Sequence, residues 1–131
     1  MLSRLGVIPT DDGLFQTERE MIAPLSAVTS TAPWSTHAAL LVACGQLDLA
    51  VQTRGEVWDY AATSLIVEEA GGRFSGLDGQ VRPTPGPALF ARSAALHTAA
   101  LQILNTNADA DRLATTIDQP NGRQVEAVSE A

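Results

Sequence analysis

The chain reads as an α/β protein: a layered sandwich whose mixed, partly parallel sheet carries flanking helices. Three observations predict this. From residue 34 to 104 the patterns run helix, strand, helix, strand, strand, helix, and such alternation favours helices packed on a sheet. Leu47, Leu49 and Val51 alternate with Asp48, Ala50 and Gln52, the two-residue period of a strand. The longest helical pattern, Trp58 to Ala70, stops at Gly71-Gly72, where glycine tolerates the left-handed conformation of a helix end.

Residues 1–33 are loosely patterned and are expected to be an irregular N-terminal segment. Pro9, Asp11, Asp12 and Gly13 mark a turn. Thr17 to Ala23 suggests a short helix broken at Pro24, and Leu25 to Val28 a short strand. Residues 34–45 read as a helix capped by Ser35 or Thr36 and ended by Gly45. A strand follows over 47–52, and Thr53 to Glu56 form a loop. In the helix from Trp58, Ala61, Ala62, Leu65, Ile66 and Ala70 follow the spacing of one buried face.

Arg73-Phe74-Ser75 reads as a short strand and Leu77 to Gln80 as a turn. Arg82 to Pro87 is a proline-rich loop, and Ala88 to Ala91 a buried strand. Ser93 caps a last helix, Ala94 to Leu104, with Leu96, Ala100, Leu101 and Leu104 on one face. Three parts result: 1–33, an α/β domain at 34–104, and a polar, mobile tail at 105–131 with a weak helix around Arg112.

The 131 residues suffice for one domain with a real core, and 45% hydrophobic content fits a folded protein. No apolar run reaches the roughly 20 residues of a membrane span. The N-terminus makes a poor signal peptide, so a cytoplasmic location is expected. Net charge is −7, and the eight basic residues are scattered arginines, which argues against nucleic-acid binding. Cys44 is the single cysteine and reads as a small buried residue in an apolar run.

Asp59 carries the chemistry. An acid at a helix start bonds free backbone N–H groups and complements the helix dipole, a contribution of about 0.5–2 kcal/mol. The same placement holds a carboxylate rigidly at a sheet edge, where it can ligate a hard cation such as Mg²⁺. From residue chemistry alone both readings stand. The other polar residues read as structural. Asp48 is expected to be a solvated turn acid, and Glu68 and Glu69 to be solvated or paired with Arg73. His37 and His97 are expected at or near the surface.

Trp58-Asp59-Tyr60-Ala61-Ala62, followed by Ile66-Val67-Glu68-Glu69-Ala70-Gly71-Gly72, resembles the C-terminal signature of the inositol monophosphatase family. The likeness extends back through Leu41 to Val51 and forward through Arg73-Phe74, covering about residues 34–104. It implies the C-terminal domain of that fold and a magnesium-dependent phosphomonoesterase acting on a small phosphorylated metabolite. In this reading Asp59 is a metal ligand, and Gln52 and Ser35 line the substrate. The flanking Val-Glu-Glu-Ala-Gly-Gly-Arg-Phe is mildly closer to the bacterial histidinol-phosphatase branch.

The sequence also departs from the family. The upstream glutamate motif and the Asp-Pro-x-Asp-Gly-Thr motif, which supply the other ligands, are missing. Ile8-Pro9-Thr10-Asp11-Asp12-Gly13-Leu14 only echoes the second and reads as a turn. Ala32-Pro33-Trp34-Ser35 lacks the usual glycine, and Gln52 stands where many members have glutamate. The chain is therefore expected to be the C-terminal half of such an enzyme, inactive alone, either paired with a missing N-terminal half or self-associated. The alternative expectation is a noncatalytic remnant or interaction domain.

Overall fold

Strand β1 spans Arg4–Ile8 and helix α1 spans Gln16–Ala27. They are followed by β2 (Ser30–Thr31), α2 (Ala38–Ala43), β3 (Leu49–Gln52), α3 (Val57–Glu69), β4 (Arg73–Gly76), β5 (Ala88–Ala91) and α4 (Ala94–Ile117). The structure, a computed structural model, describes residues 2–10, 13–34 and 36–117. The sheet order is β2-β1-β3-β5-β4. β1 lies parallel to β2 and to β3, with Ile8 opposite Gln52. β5 is antiparallel to both β3 and β4. The expected mixed sheet with flanking helices is what forms.

Helices cover both faces of the sheet. On one, α1 and α4 bury Ile22, Leu25, Ala100 and Leu104 against Leu5, Leu49, Val51 and Leu89. On the other, α2 and α3 bury Ala38, Val42, Tyr60 and Val67 against Ala50, Phe74 and Phe90. That double cover explains β3. Its two-residue alternation marks the expected strand, and all four residues are buried, as befits a strand sandwiched between helices.

The N-terminal segment differs most from its expected irregularity. β1 is an interior strand, and α1 runs unbroken through Pro24. Burial of Ile22 and Leu25 on either side of the proline offsets its missing N–H. The strand expected at Leu25–Val28 is instead the end of α1, where Val28 N and Thr29 Oγ1 donate to Leu25 O at 3.1 and 2.8 Å.

Helix α2 starts later than expected. Trp34 Nε1 donates to Val7 O at 3.0 Å and holds residues 32–34 across β1. The cap is His37, whose Nδ1 accepts from Ala39 N at 3.2 Å, rather than exposed Thr36. Ser35 lies outside the described residues.

Helix α3 lies where the sequence places it but buries a different face. Tyr60, Ser64 and Val67 turn inward, whereas Ala61, Ala62, Leu65, Ile66 and Ala70 are exposed. Tyr60 decides the rotation, because it stacks against Phe74 and Phe90 at ring distances of 5.5 and 6.2 Å. The helix ends at Gly71, at φ +95°, and a Cβ on Gly72 would strike Ala91 O and Val67.

Helix α4 opens as expected, with Ser93 Oγ accepting from Leu96 N at 3.2 Å. It buries Ala100 and Leu104 and half-buries Leu96 and Leu101. It then continues to Ile117, into the stretch expected to be tail. Ala108, Ala110, Leu113 and Ala114 are good helix formers there, and no Gly or Pro interrupts residues 94–117. Of the expected tail, residues 118–131 lie outside the described residues. No helix among the described residues is long and apolar enough to cross a membrane.

Two carboxylates tie elements together. Asp48 is no solvated turn acid. Its Oδ2 accepts from Arg4 N and its Oδ1 from Arg92 Nε, each at 2.8 Å, which joins the ends of β1, β3 and β5. Glu18 is buried and accepts from Arg54 Nε at 2.7 Å and from Phe15 N at 2.9 Å. The Arg4 N–H, with help from Arg92, holds the Asp48 carboxyl below its ordinary 3.8, against burial. The Arg54 bond does the same for Glu18 below its ordinary 4.5, again against burial.

Both pKa values are lower folded than unfolded, so their stabilisation is complete above the ordinary values and is lost as pH falls through the folded ones. Urea unfolding from pH 6 downward should therefore show stability falling below about 4.5, with a shallower fall in Glu18→Gln and Asp48→Asn. Gly72→Ala should lose about 1–3 kcal/mol at neutral pH through overpacking, read from the urea midpoint.

Candidate active site at the sheet's carboxyl edge

β1 and β3 run parallel and end together at Ile8 and Gln52. α1 leaves β1 to cover one face of the sheet, while α2, leading into β3, covers the other. The edge beyond such strand ends is where open α/β sheets place their ligands. Thr53 N donates to Ile8 O at 2.9 Å and fixes the start of the loop that follows β3. Arg54 pins the next residue: Nη2 donates to Gly13 O at 2.6 Å, and the guanidinium carbon sits 4.4 Å from the centre of the Phe15 ring. The loop then enters α3.

Asp59 occupies the third position of α3 and is exposed. Its side chain reaches back to the backbone of Glu56, the residue that opens the helix, which is the N3 half of a capping box. Asp59 Oδ2 accepts from Glu56 N at 2.6 Å, and Asp59 N donates in turn to the Glu56 backbone carbonyl at 2.9 Å. The cap reading of Asp59 is therefore realised. It does not exclude ligation, because a carboxylate has two oxygens and several lone pairs. Among the described residues no donor binds its Oδ1.

Tyr60 sets the direction in which Asp59 projects. Its ring is fully buried and its hydroxyl donates to Gly86 O, tying the 82–87 loop to α3. Burial, with the Asp59 and Glu56 carboxylates nearby, pushes its phenol well up, so it stays a donor. Gly55 makes room: a Cβ there would lie 2.7 Å from the tyrosine ring and 3.1 Å from Gln52 Nε2. Sequence reasoning missed Tyr60 and Gly55 as positioning residues. The aromatic directly after the acid was the available signal.

Gln52 is buried at 8% exposure, with Nε2 donating to Arg54 O at 3.2 Å. Its Oε1 is buried and has no hydrogen-bond partner among the described residues. An unmet buried acceptor costs about 1–3 kcal/mol, a cost that an added donor would relieve. Gln52 at the end of β3 and Tyr60, which follows Asp59, lie on either side of Gly55. Ser35 and the Asp11-Asp12 pair lie outside the described residues. Gly13 N donates to Thr10 O at 2.8 Å, which fits the turn expected there.

The remaining polar residues take other roles. His37 caps α2; burial lowers its pKa, and the Asp59 charge partly opposes this. His97 Nε2 lies 2.7 Å from the Oγ of buried Ser75, which donates to Gly76 O at 2.8 Å. Glu68 and Glu69 are exposed, and Arg73 Nη1 donates to Gly72 O at 3.0 Å. Cys44 is exposed, not buried as expected, because the chain leaves α2 there and turns into solvent at Gly45. Among the described residues no three His, Cys, Asp or Glu side chains cluster to hold a metal. An apolar cavity of about 280 Å³ lies beside β1, lined by Val7, Leu14, Ile22 and Trp34 among others, and neither Asp59 nor Gln52 reaches it.

The sequence profile of the inositol monophosphatase family matches residues 9–118. The chain belongs to the inositol monophosphatase family. Two curated relatives are histidinol-phosphatases. The one from Streptomyces coelicolor is 44% identical over 66 residues, which is 50% of this chain and 24% of that protein. The one from Mycobacterium tuberculosis is 45% identical over 65 residues, which is 50% of this chain and 25% of that protein. The likeness is consistent with the histidinol-phosphatase branch.

Solved family structures share the fold. A staphylococcal enzyme, SaIMPase-II with bound inositol monophosphate, superposes with a TM-score of 0.68 at 23% identity, over 83% of this chain and 44% of its own. An IMPase/NADP phosphatase complexed with Mg²⁺ and phosphate gives 0.61 at 21% identity, over 79% of this chain and 39% of its own. The chain thus spans about a quarter of its curated relatives and under half of these structures.

Loss of the Asp59 cap should be visible without any metal. Asp59→Ala is expected to cost about 0.5–2 kcal/mol of stability in urea unfolding with chelator present. Tyr60→Phe should cost a further sum of about 1–3 kcal/mol by leaving Gly86 O unpaired.

Proposed function

We propose that this chain supplies one side of a magnesium-dependent phosphomonoesterase site, of the histidinol phosphate or inositol phosphate type. One observation carries the reading: β3 ends in a buried amide oxygen that lacks a donor among the described residues, and the loop after it leads to an exposed carboxylate tied to the start of α3. The family match supports phosphatase chemistry for the protein to which this edge belongs.

Asp59 fits magnesium as a single hard oxygen ligand, and magnesium is commonly held by one or two carboxylates together with water and substrate phosphate. When bound, such an ion polarises the phosphoryl group and lowers the pKa of a bound water. Asp59 contributes charge and a fixed position, since the cap leaves its carboxylate little freedom. Tyr60, protonated and buried, keeps α3 from rotating and so keeps Asp59 aimed at the edge. Gln52 Oε1 accepts from a hydroxyl or amine of the substrate. As a neutral amide it offers an amine no charge attraction.

One carboxylate is too few for catalysis, and the lack of a three-residue cluster among the described residues favours a second reading, a noncatalytic domain. The two readings separate in one assay. The pure 131-residue chain is expected to release no measurable phosphate from histidinol phosphate or inositol phosphate with Mg²⁺. Joined to the remainder of a family fold, it should turn over either substrate in a magnesium-dependent way. Asp59→Asn should then cut kcat at least a hundredfold, and Gln52→Ala should mainly raise KM. Turnover by the pure chain would overturn the one-sided site. A joined protein indifferent to Asp59→Asn would leave the noncatalytic reading.

A further inference from the structure

Strand β2 is two residues long, and its pairing with β1 stops one step short. Ser30 N donates to Ser3 O and Ala32 N to Leu5 O, each at 2.8 Å. In that register the next bond would run from the backbone of residue 34 to Val7 O. The indole of Trp34 makes it instead, Nε1 donating to Val7 O at 3.0 Å. A side chain thus stands where a strand would continue. Between it and α1 lies the cavity of about 280 Å³. Its walls are buried Val7, Leu14, Ile22 and Ala32, together with the indole. Ser26 of α1 and Thr31 of β2 add hydroxyls, and the cavity meets solvent beside exposed Thr31 and Pro33.

The lining selects an occupant. Water needs two to four polar partners to be held in such a place, and the apolar walls offer none. The one donor among the large side chains, the Trp34 N–H, is spent on Val7 O. An ion would lose its hydration without a partner, because no charged side chain is among the described lining residues. An anion would also meet the chain's net charge of −7. An apolar cavity of about 150 Å³ suffices for benzene, so this one holds a single ring with a small substituent. An indole wall favours an aromatic ring, stacked or edge-on. We propose that the cavity is a binding site for an uncharged small molecule of the phenol class, one aromatic ring bearing a hydroxyl. The ring packs against Trp34, Val7 and Ile22, and the hydroxyl bonds Ser26 or Thr31. Neither Asp59 nor Gln52 lines this cavity, so the proposal stands apart from the phosphatase reading.

Phenol titrated into the full chain tests this by NMR. The Trp34 indole N–H and the methyls of Val7, Leu14 and Ile22 should shift together and saturate on one curve. The Trp58 indole N–H, on the exposed side of α3, should stay in place. Benzoate, the same ring with a carboxylate, should bind at least tenfold more weakly. Ser26→Leu fills the cavity from α1 with a good helix former, and should weaken phenol binding at least tenfold while leaving the urea midpoint unchanged or higher. Shifts that never saturate, shifts of equal size at Trp58, or benzoate binding as well as phenol would overturn the proposal on the unaltered chain. Full phenol affinity in a folded Ser26→Leu chain would overturn it as well.

Discussion

Tyr60 sits where three demands meet. Its ring packs against Phe74 and Phe90, whose own rings lie 5.1 Å apart, so α3, β4 and β5 share one aromatic cluster. Its hydroxyl holds the carbonyl of Gly86 and with it the long loop before β5. Its backbone follows Asp59 directly. Rotating α3 to hide Leu65 would pull this ring from the cluster, forfeiting about 1.5–3 kcal/mol of aromatic burial and exposing an unpaired carbonyl. The orientation of the carboxylate is thus decided by the residue after it.

That choice explains why one helix carries two apolar stripes. The inner one is short, Tyr60, Ser64 and Val67, and includes a hydroxyl whose Oγ bonds Ala61 O at 3.4 Å. The outer one holds Trp58, Leu65 and Ile66, the bulkier set. From composition the bulkier stripe should win the core. It loses because its competitor has a partner already shaped for it: Gly55 and Gly72 leave space at either end of the inner face. Close approach at those glycines matters more here than summed hydrophobicity.

The legibility of the fold follows from the same distinction. Elements marked by local chemistry could be read directly: the Gly71-Gly72 stop, the Ser93 cap and the apolar Ala88–Ala91 run. What depended on distant partners could not. β1 looks unremarkable as Arg-Leu-Gly-Val-Ile, and only its pairing with β2 and β3 makes it a central strand. The α2 cap moved to His37 because Trp34 bonds a strand 27 residues away. Asp48 seemed solvated because Arg92, 44 positions on, could not be foreseen as its partner. At the site, Asp59 was legible through its motif and Gln52 through its position, but the unpaired state of Gln52 Oε1 needed coordinates.

The two readings of Asp59 are compatible, because a carboxylate that reaches back to the helix start keeps a second oxygen. A solvated carboxylate on a free rotor spends most of its time away from any single direction, and ordering it costs side-chain entropy when a ligand binds. The bond to the helix start removes much of that cost in advance, because Oδ2 is fixed by Glu56 N. The helix dipole favours the negative charge where it stands. A residue selected only to reach back to Glu56 N could be a neutral amide such as Gln with similar benefit to stability. Of the two, only aspartate leaves a charged oxygen over after the cap is made, and that second oxygen is the part of Asp59 that stability does not require.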